Sequence, residues 1–259
     1  VNLHSRVILI TGASSGLGAA TARRCAAAGA RVALAARSAD QLDEQAAAIR
    51  KAGGEAVSLP ADVTSDAEVE RLVEATLARF GRVDVLVNNA GFGLLNSVVD
   101  AEHAELEAML AVNLVGAARC ITAVLPHMLG RRSGQIVNVA SMAGLLPLRN
   151  FGYYGATKAG LIALTRAMQL DLAGTGVRCL AVCPGAARTP FFKRAALAKV
   201  PRTAYMIPWL DDETVARAIA RAVERNAEGE LLIPAIAHPL LRLANATPGL
   251  ARLVLRFIR

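Results

Sequence analysis

Seven short apolar runs punctuate the chain, at 6–11, 31–36, 55–60, 83–88, 134–141, 176–184 and 229–235. Each is dominated by Val, Ile, Leu and Ala and is nearly continuous. A strand with one wet face alternates apolar and polar residues, whereas a continuous run fits a parallel strand covered on both faces. Between the runs, apolar residues recur three and four apart over 16–28, 39–52, 66–79, 102–129, 154–173 and 212–225. That spacing predicts helices. The alternation of strand and helix predicts an α/β chain: one doubly wound parallel sheet of about seven strands flanked by helices. No linker, repeat or low-complexity segment interrupts it, so residues 1–259 read as a single domain. Two segments break the rhythm. Residues 186–210 hold Pro190, Pro201 and Pro208, and residues 236–259 follow the last strand.

Composition narrows the classes. Hydrophobic residues make up 54% of the 259 positions, which excludes a disordered chain. Cys25, Cys120, Cys179 and Cys183 form no CxxC pair. On one strand the last two would lie about 13 Å apart, too far for a disulfide. They read as buried free thiols of a cytoplasmic protein. His4, His103, His127 and His238 are scattered, with no metal-ligand spacing. The N-terminal run is too short for a signal peptide, and no unbroken apolar stretch of about 20 residues predicts a spanning helix.

The first strand leads into Thr11-Gly12-Ala13-Ser14-Ser15-Gly16-Leu17-Gly18 and then a helix. Glycines there permit a tight turn and let backbone N–H groups meet a pyrophosphate at the positive helix end. The spacing Gly-x3-Gly-x-Gly resembles that of the short-chain dehydrogenase/reductase family, whose pattern is TGxxxGxG. Further motifs follow in order: Asp62-Val63 after the third strand, Asn88-Asn89-Ala90-Gly91 after the fourth, and Asn113 inside a helix. Ser141 ends the fifth strand, and Tyr154-Gly155-Ala156-Thr157-Lys158 stands thirteen residues later. Pro184-Gly185 ends the sixth strand, and Thr189 follows. The ordered set spans residue 6 to about residue 190.

The resemblance implies a Rossmann-like fold and a nicotinamide cofactor. It implies that Asp62 and Val63 meet the adenine, that Asn89, Ala90 and Gly91 border the cofactor, and that Thr189 meets the nicotinamide amide. Family members that prefer NAD usually carry an acid at the end of the second strand; this chain has Ala35-Ala36-Arg37-Ser38. A guanidinium suits a 2′-phosphate by charge and fork geometry, and Ser38 adds a hydroxyl, so NADP(H) is expected ahead of NAD(H). Tyrosine is a poor acid at neutral pH, with a pKa of about 10, and a nearby ammonium lowers it. Tyr154 and Lys158 lie four apart and so project from one helix face. The resemblance implies Ser141 on the substrate oxygen, Lys158 on the nicotinamide ribose and Asn113 holding a water behind Lys158. It also implies a homodimer or homotetramer paired through the small residues Ala156, Ala159, Gly160, Ala163 and Ala167.

The family covers its substrate with the segment that here is 186–210. Phe191, Phe192, Leu197, Tyr205, Met206 and Trp209 favour a lipophilic ketone, aldehyde or secondary alcohol. Two alternatives stand: a 3-oxoacyl-thioester reductase serving acyl carrier protein or coenzyme A, and a non-catalytic NADP-responsive binding protein. In the tail, Leu250, Leu253, Val254 and Phe257 share one helical face, with Arg252, Arg256 and Arg259 also grouped. Net charge is +8, from 29 basic and 21 acidic residues. Five basic residues lie in 186–210 (Arg188, Lys193, Arg194, Lys199, Arg202) and four in 231–259 (Arg242, Arg252, Arg256, Arg259), with no acid in either. The rest holds 20 basic residues against 21 acidic ones. The excess is therefore local. It argues against nucleic acid and points to an acidic carrier, an anionic membrane or an acidic partner on the substrate side.

Overall fold

The computed structural model describes residues 3–186 and 209–236, and singly 239, 241, 243, 247 and 249. Its elements run β1 (Val7–Thr11), α1 (Gly16–Ala27), β2 (Arg31–Ala36), α2 (Ala39–Lys51), β3 (Glu55–Pro60), α3 (Asp66–Phe80) and β4 (Val85–Asn88). There follow α4 (His103–Leu110), a π-helical stretch (Ala111–Gly116), α5 (Ala117–Gly130), β5 (Gly134–Val139), α6 (Gly152–Asp171), β6 (Val177–Pro184), α7 (Asp212–Glu224) and β7 (Gly229–Ile233).

All seven strands are parallel, in the order β3-β2-β1-β4-β5-β6-β7. The order reverses at β1, which pairs with β2 on one side and β4 on the other. Open sheets of this kind bind ligands at that crevice. Every residue of β1 is buried because both faces are covered. Ile8 and Ile10 face a core built with α1, α2 and α7. Val7 and Leu9 face the other, built with α3, α5 and the end of α6. On α7, Val215, Ile219 and Val223 are fully buried, each worth about 1.5–3 kcal/mol.

Three expectations change at the helix and strand ends. The single helix at 102–129 is α4 and α5 joined by the π-helical stretch, which adds one residue to a turn. The fifth strand stops at Val139, and Ser141 caps a short 3-10 turn, Met142–Gly144. The α6 helix begins at Gly152, so Tyr154 sits in its first turn. One described helical stretch, His103–Gly130, is long and apolar enough to cross a membrane by length and composition, with a mean hydropathy of 1.8. Here the face carrying Cys120, Ile121, Val124 and Met128 packs on the sheet. All four cysteines are buried free thiols.

Candidate active site

The phosphate loop is built by close backbone approach. Gly12 has φ +64, and a Cβ there would lie 2.8 Å from Ala90 Cα. A Cβ on Gly18 would collide with the Gly12 carbonyl oxygen and lie 2.5 Å from Asn89 Nδ2. Asn89 Nδ2 uses that space to donate to the carbonyls of Thr11 (3.0 Å) and Gly12 (3.1 Å). The Thr11 hydroxyl accepts from the N–H groups of Asn89 (3.1 Å) and Ala90 (3.0 Å). The TGxxxGxG turn and the NNAG turn are thus one clamped unit across β1 and β4. Beyond it, α1 starts at Ser15, an extended residue whose side chain makes no capping bond, and the first turn holds no acid. Ser14 and Leu17 are half-buried around this turn, and Ser15 is exposed. A helix start left to an outside anion fits a pyrophosphate.

At the end of β2, Arg37 is exposed and its Nη1 lies 4.0 Å from Asp62 Oδ2. Ser38 caps α2 by position, yet its hydroxyl makes no capping bond. Asp62 Oδ1 accepts from the Thr64 N–H (2.9 Å) and hydroxyl (2.8 Å). Burial pushes the Asp62 carboxyl up, but the Thr64 hydrogen bonds and the Arg37 charge together hold it below its ordinary value. Val63 is buried against the π-helical stretch, where a Cβ on Gly116 would lie 2.7 Å from its Cγ2.

The candidate catalytic side chains converge where β5, α6 and the π-helical stretch meet. Tyr154 and Lys158 are both buried. The Tyr154 and Ser141 side chains are hydrogen-bonded, and Ser141 Oγ also accepts from the Ala143 N–H at 3.1 Å. Lys158 Nζ donates to the Val139 carbonyl at 2.9 Å and lies 5.9 Å from the Tyr154 ring centroid. Asn113 Oδ1 accepts from Phe92 N at 2.9 Å, and its Nδ2 donates to Phe92 O at 2.8 Å. Gly91 leaves space beside both groups: a Cβ there would lie 2.9 Å from Asn113 Oδ1 and 3.3 Å from Lys158 Nζ. At the end of β6, Pro184 is buried and Gly185 N donates to the Ile233 carbonyl at 2.8 Å. Thr189 lies outside the described residues, as do the lid positions 187–208.

Electrostatics here differ from the simple expectation. Burial pushes the Tyr154 phenol up to about 12, and the Ser141 hydrogen bond only partly offsets it. Burial pushes the Lys158 ammonium down to about 8. An apolar wall accounts for the burial of the phenol: Leu95, Met109, Ala143 and Phe151 pack round Tyr154, with Phe151 edge-on to its ring at 6.1 Å. Desolvation therefore outweighs the Ser141 hydrogen bond at the phenol.

Three positions escape the sequence reading. A Cβ on Gly144 would lie 2.7 Å from the backbone of Lys158 and Ala159, and one on Gly155 would lie 2.8 Å from the Ala143 carbonyl oxygen. Those glycines let the Ser141 turn dock directly on α6. Thr157 is the third. Gly155 stands inside the YxxxK motif, but its contact with Ala143 runs across the loop between the Ser141 turn and α6, a spacing that carries no helix or strand periodicity.

Known proteins share this fold and much of this sequence. The sequence model for short chain dehydrogenases matches residues 6–199. A fatty acyl-CoA reductase of Acinetobacter baylyi is 34% identical over 96% of this chain and 81% of its own length. A short-chain dehydrogenase/reductase from Burkholderia phymatum, solved with NAD, has a TM-score of 0.86 at 29% identity, covering 96% of both chains. Actinorhodin polyketide ketoreductase, solved with NADPH, has a TM-score of 0.82 at 33% identity, covering 88% of this chain and 95% of its own. The chain belongs to the short-chain dehydrogenase/reductase family, oxidoreductases that act on alcohol and carbonyl groups.

Proposed function

We propose that this protein is an NADP(H)-dependent oxidoreductase that interconverts a carbonyl and an alcohol on a lipophilic small molecule. The observation that carries the reading is Tyr154, buried in an apolar wall and hydrogen-bonded to Ser141, one helical turn from Lys158. A phenol held protonated is suited to give its proton to a carbonyl oxygen, while Ser141 orients that oxygen. Lys158 follows the phenol on the same face and supplies positive charge when protonated. When bound, the reduced nicotinamide is the hydride source. Gly12, Ser14, Ser15, Gly16, Leu17 and Gly18 would hold its pyrophosphate, Asp62 and Val63 its adenine, and Asn89, Ala90, Gly91, Pro184 and Gly185 would border it. Thr189 is assigned the nicotinamide amide by resemblance alone.

The NADP preference rests on Arg37 and Ser38. Arg37 is exposed, with only a long contact to Asp62, and the Ser38 hydroxyl is not spent on capping. Their place at the end of β2, with an exposed charge and an unspent hydroxyl, supports a contact with a 2′-phosphate. A second reading, a reductase of acyl or 3-oxoacyl thioesters, is favoured by the match to a fatty acyl-CoA reductase over nearly the whole chain. The nine basic residues that would face an acidic carrier or an anionic membrane all lie outside the described residues. We place an oligomer contact on α6, where Ala156, Ala163 and Ala167 are exposed beside Leu170 at 81% exposure; the solution mass tests it.

One assay tests the main reading. Ketones, acyl thioesters and alcohols are offered with NADPH or NADH, and nucleotide absorbance is followed. Wild type should turn over a lipophilic carbonyl. Tyr154→Phe should lose at least about 1,000-fold in kcat with NADPH affinity retained. Arg37→Ala should lose about tenfold in preference for NADPH over NADH. Near-normal turnover by Tyr154→Phe would overturn the catalytic assignment. Thioesters preferred over free ketones would select the second reading, and silence on every substrate would revive the binding protein.

A further inference from the structure

The Asn113 carboxamide is fully committed as a donor. One N–H goes to Phe92 O at 2.8 Å and the other to Thr157 Oγ1 at 3.0 Å. Thr157 is completely buried, and its hydroxyl passes the chain on by donating to the Tyr154 carbonyl at 2.8 Å. A hydroxyl can accept and donate at once, which an apolar side chain of the same shape cannot. The chain of bonds therefore runs from the π-helical stretch into the first turn of α6. It reaches the peptide of Tyr154 through the residue that precedes Lys158. A π-helical turn is a costly local geometry held in place by such contacts.

We infer that Thr157 is a positioning residue: its hydroxyl locks Asn113 to the Tyr154 turn and so fixes Asn113, Tyr154 and Lys158 relative to one another. The inference rests on the reading of Tyr154 and Lys158 as the reacting pair. Removing the hydroxyl would leave an Asn113 N–H buried without an acceptor and free the π-helical stretch to shift. The reacting atoms would then be displaced while the Gly12–Gly18 turn, clamped to Asn89 across β1 and β4, stayed intact.

The same helix supplies an internal control. Asn138 Nδ2 donates to Thr165 Oγ1 at 2.9 Å, and Thr165 Oγ1 donates to the Leu161 carbonyl at 2.7 Å. This is the same Asn–Thr–carbonyl relay, also buried on α6, but it touches neither Tyr154 nor Lys158. Thr157→Val should lower kcat about 10- to 100-fold while NADPH affinity and KM change less than about threefold. Thr157→Ser should recover most of that loss. Thr165→Val should lower the melting temperature with kcat near wild type. Hydrogen exchange gives a readout independent of turnover: the Phe92 amide, held by Asn113, should exchange faster in Thr157→Val and not in Thr165→Val.

Wild-type kcat and Phe92 exchange in Thr157→Val would overturn the proposal. So would equal kcat losses in the two valine variants, which would mark general damage to α6. If Thr157→Val does not fold, Thr157→Ala set against Thr157→Ser carries the same comparison. Tyr154→Phe, run alongside, separates the two readings. Its retained activity would sink the catalytic assignment, whereas an inactive Tyr154→Phe beside a normal Thr157→Val would sink only the role of Thr157.

Discussion

Two helices on the same face of the sheet, α1 and α7, begin in opposite ways. Asp211 caps α7 by accepting from the Thr214 N–H at 2.5 Å, and Asp212 and Glu213 fill its first turn. Ser15 heads α1 without a capping bond, and no acid follows. The α7 helix meets N–H groups and dipole at its start with its own side chains, whereas α1 brings neither a capping bond nor an acid to its start. The α3 helix sides with α7, since Ser65 accepts from the Glu68 N–H and Asp66 and Glu68 lie in the first turn. On the proposed function, the uncapped start of α1 is the end left to the nucleotide phosphates.

The strongest way to break the contrast is to close the cradle at α1. Gly18→Ala drives a Cβ into the Gly12 carbonyl oxygen and the Asn89 amide. Nucleotide affinity should fall at least about 100-fold, measured by quenching of bound NADPH fluorescence. A smaller change converts α1 into a helix of the α7 kind. Ser15→Asp supplies a cap and a negative charge, so NADPH affinity should fall about tenfold while the melting temperature without nucleotide rises. Unchanged affinity would show that the open helix start is not where the phosphates sit.

The mildest change is made on α7 itself. Asp211→Ala should lower the melting temperature by about 2–4 °C and leave NADPH affinity unchanged. Hydrogen bonds from Thr214 hold the Asp211 carboxyl below its ordinary value of 3.8. A lowered carboxylate stabilises the fold above its unfolded pKa, and that contribution is lost as pH falls through the lowered folded value. Amide exchange at the start of α7 should therefore quicken at acid pH in wild type, and this acid response should be absent in Asp211→Ala.

Charge invites the same comparison of ends. Arginines at the opposite edge of the sheet serve backbone carbonyls: Arg6 donates to Val223 O (3.2 Å), Arg131 to Val83 O (2.7 Å), Arg132 to Gly174 O (3.0 Å) and Arg178 to Asn226 O (3.2 Å). They tie the loops at the start of the strands, at ends where helix carbonyls lack partners. That use agrees with a core in which basic and acidic residues nearly balance.

Much of the fold is legible because each strand is apolar on both faces and each helix on one. Tyr154 and Lys158 are legible as a pair because a helix places residues four apart on one face. The glycine turn is legible because its spacing is local. The π-helical stretch is not, because Ala111–Gly116 reads as ordinary apolar helix and the extra residue in its turn is held by Phe92 and Thr157, distant in sequence. The rise of the phenol to about 12 is equally hidden, since it follows from packing by Leu95, Met109 and Phe151.

The sequence by itself determined the doubly wound sheet and the family, and it named the groups proposed here to react. These depend on periodicity and short spacings, which the local chain geometry enforces. Tertiary structure alone decided the protonation balance of Tyr154 and Lys158, the docking of the Ser141 turn through Gly144 and Gly155, and the relay from Asn113 through Thr157. Those depend on desolvation and on contacts made across loops and between strands and helices, which no local spacing in the chain encodes.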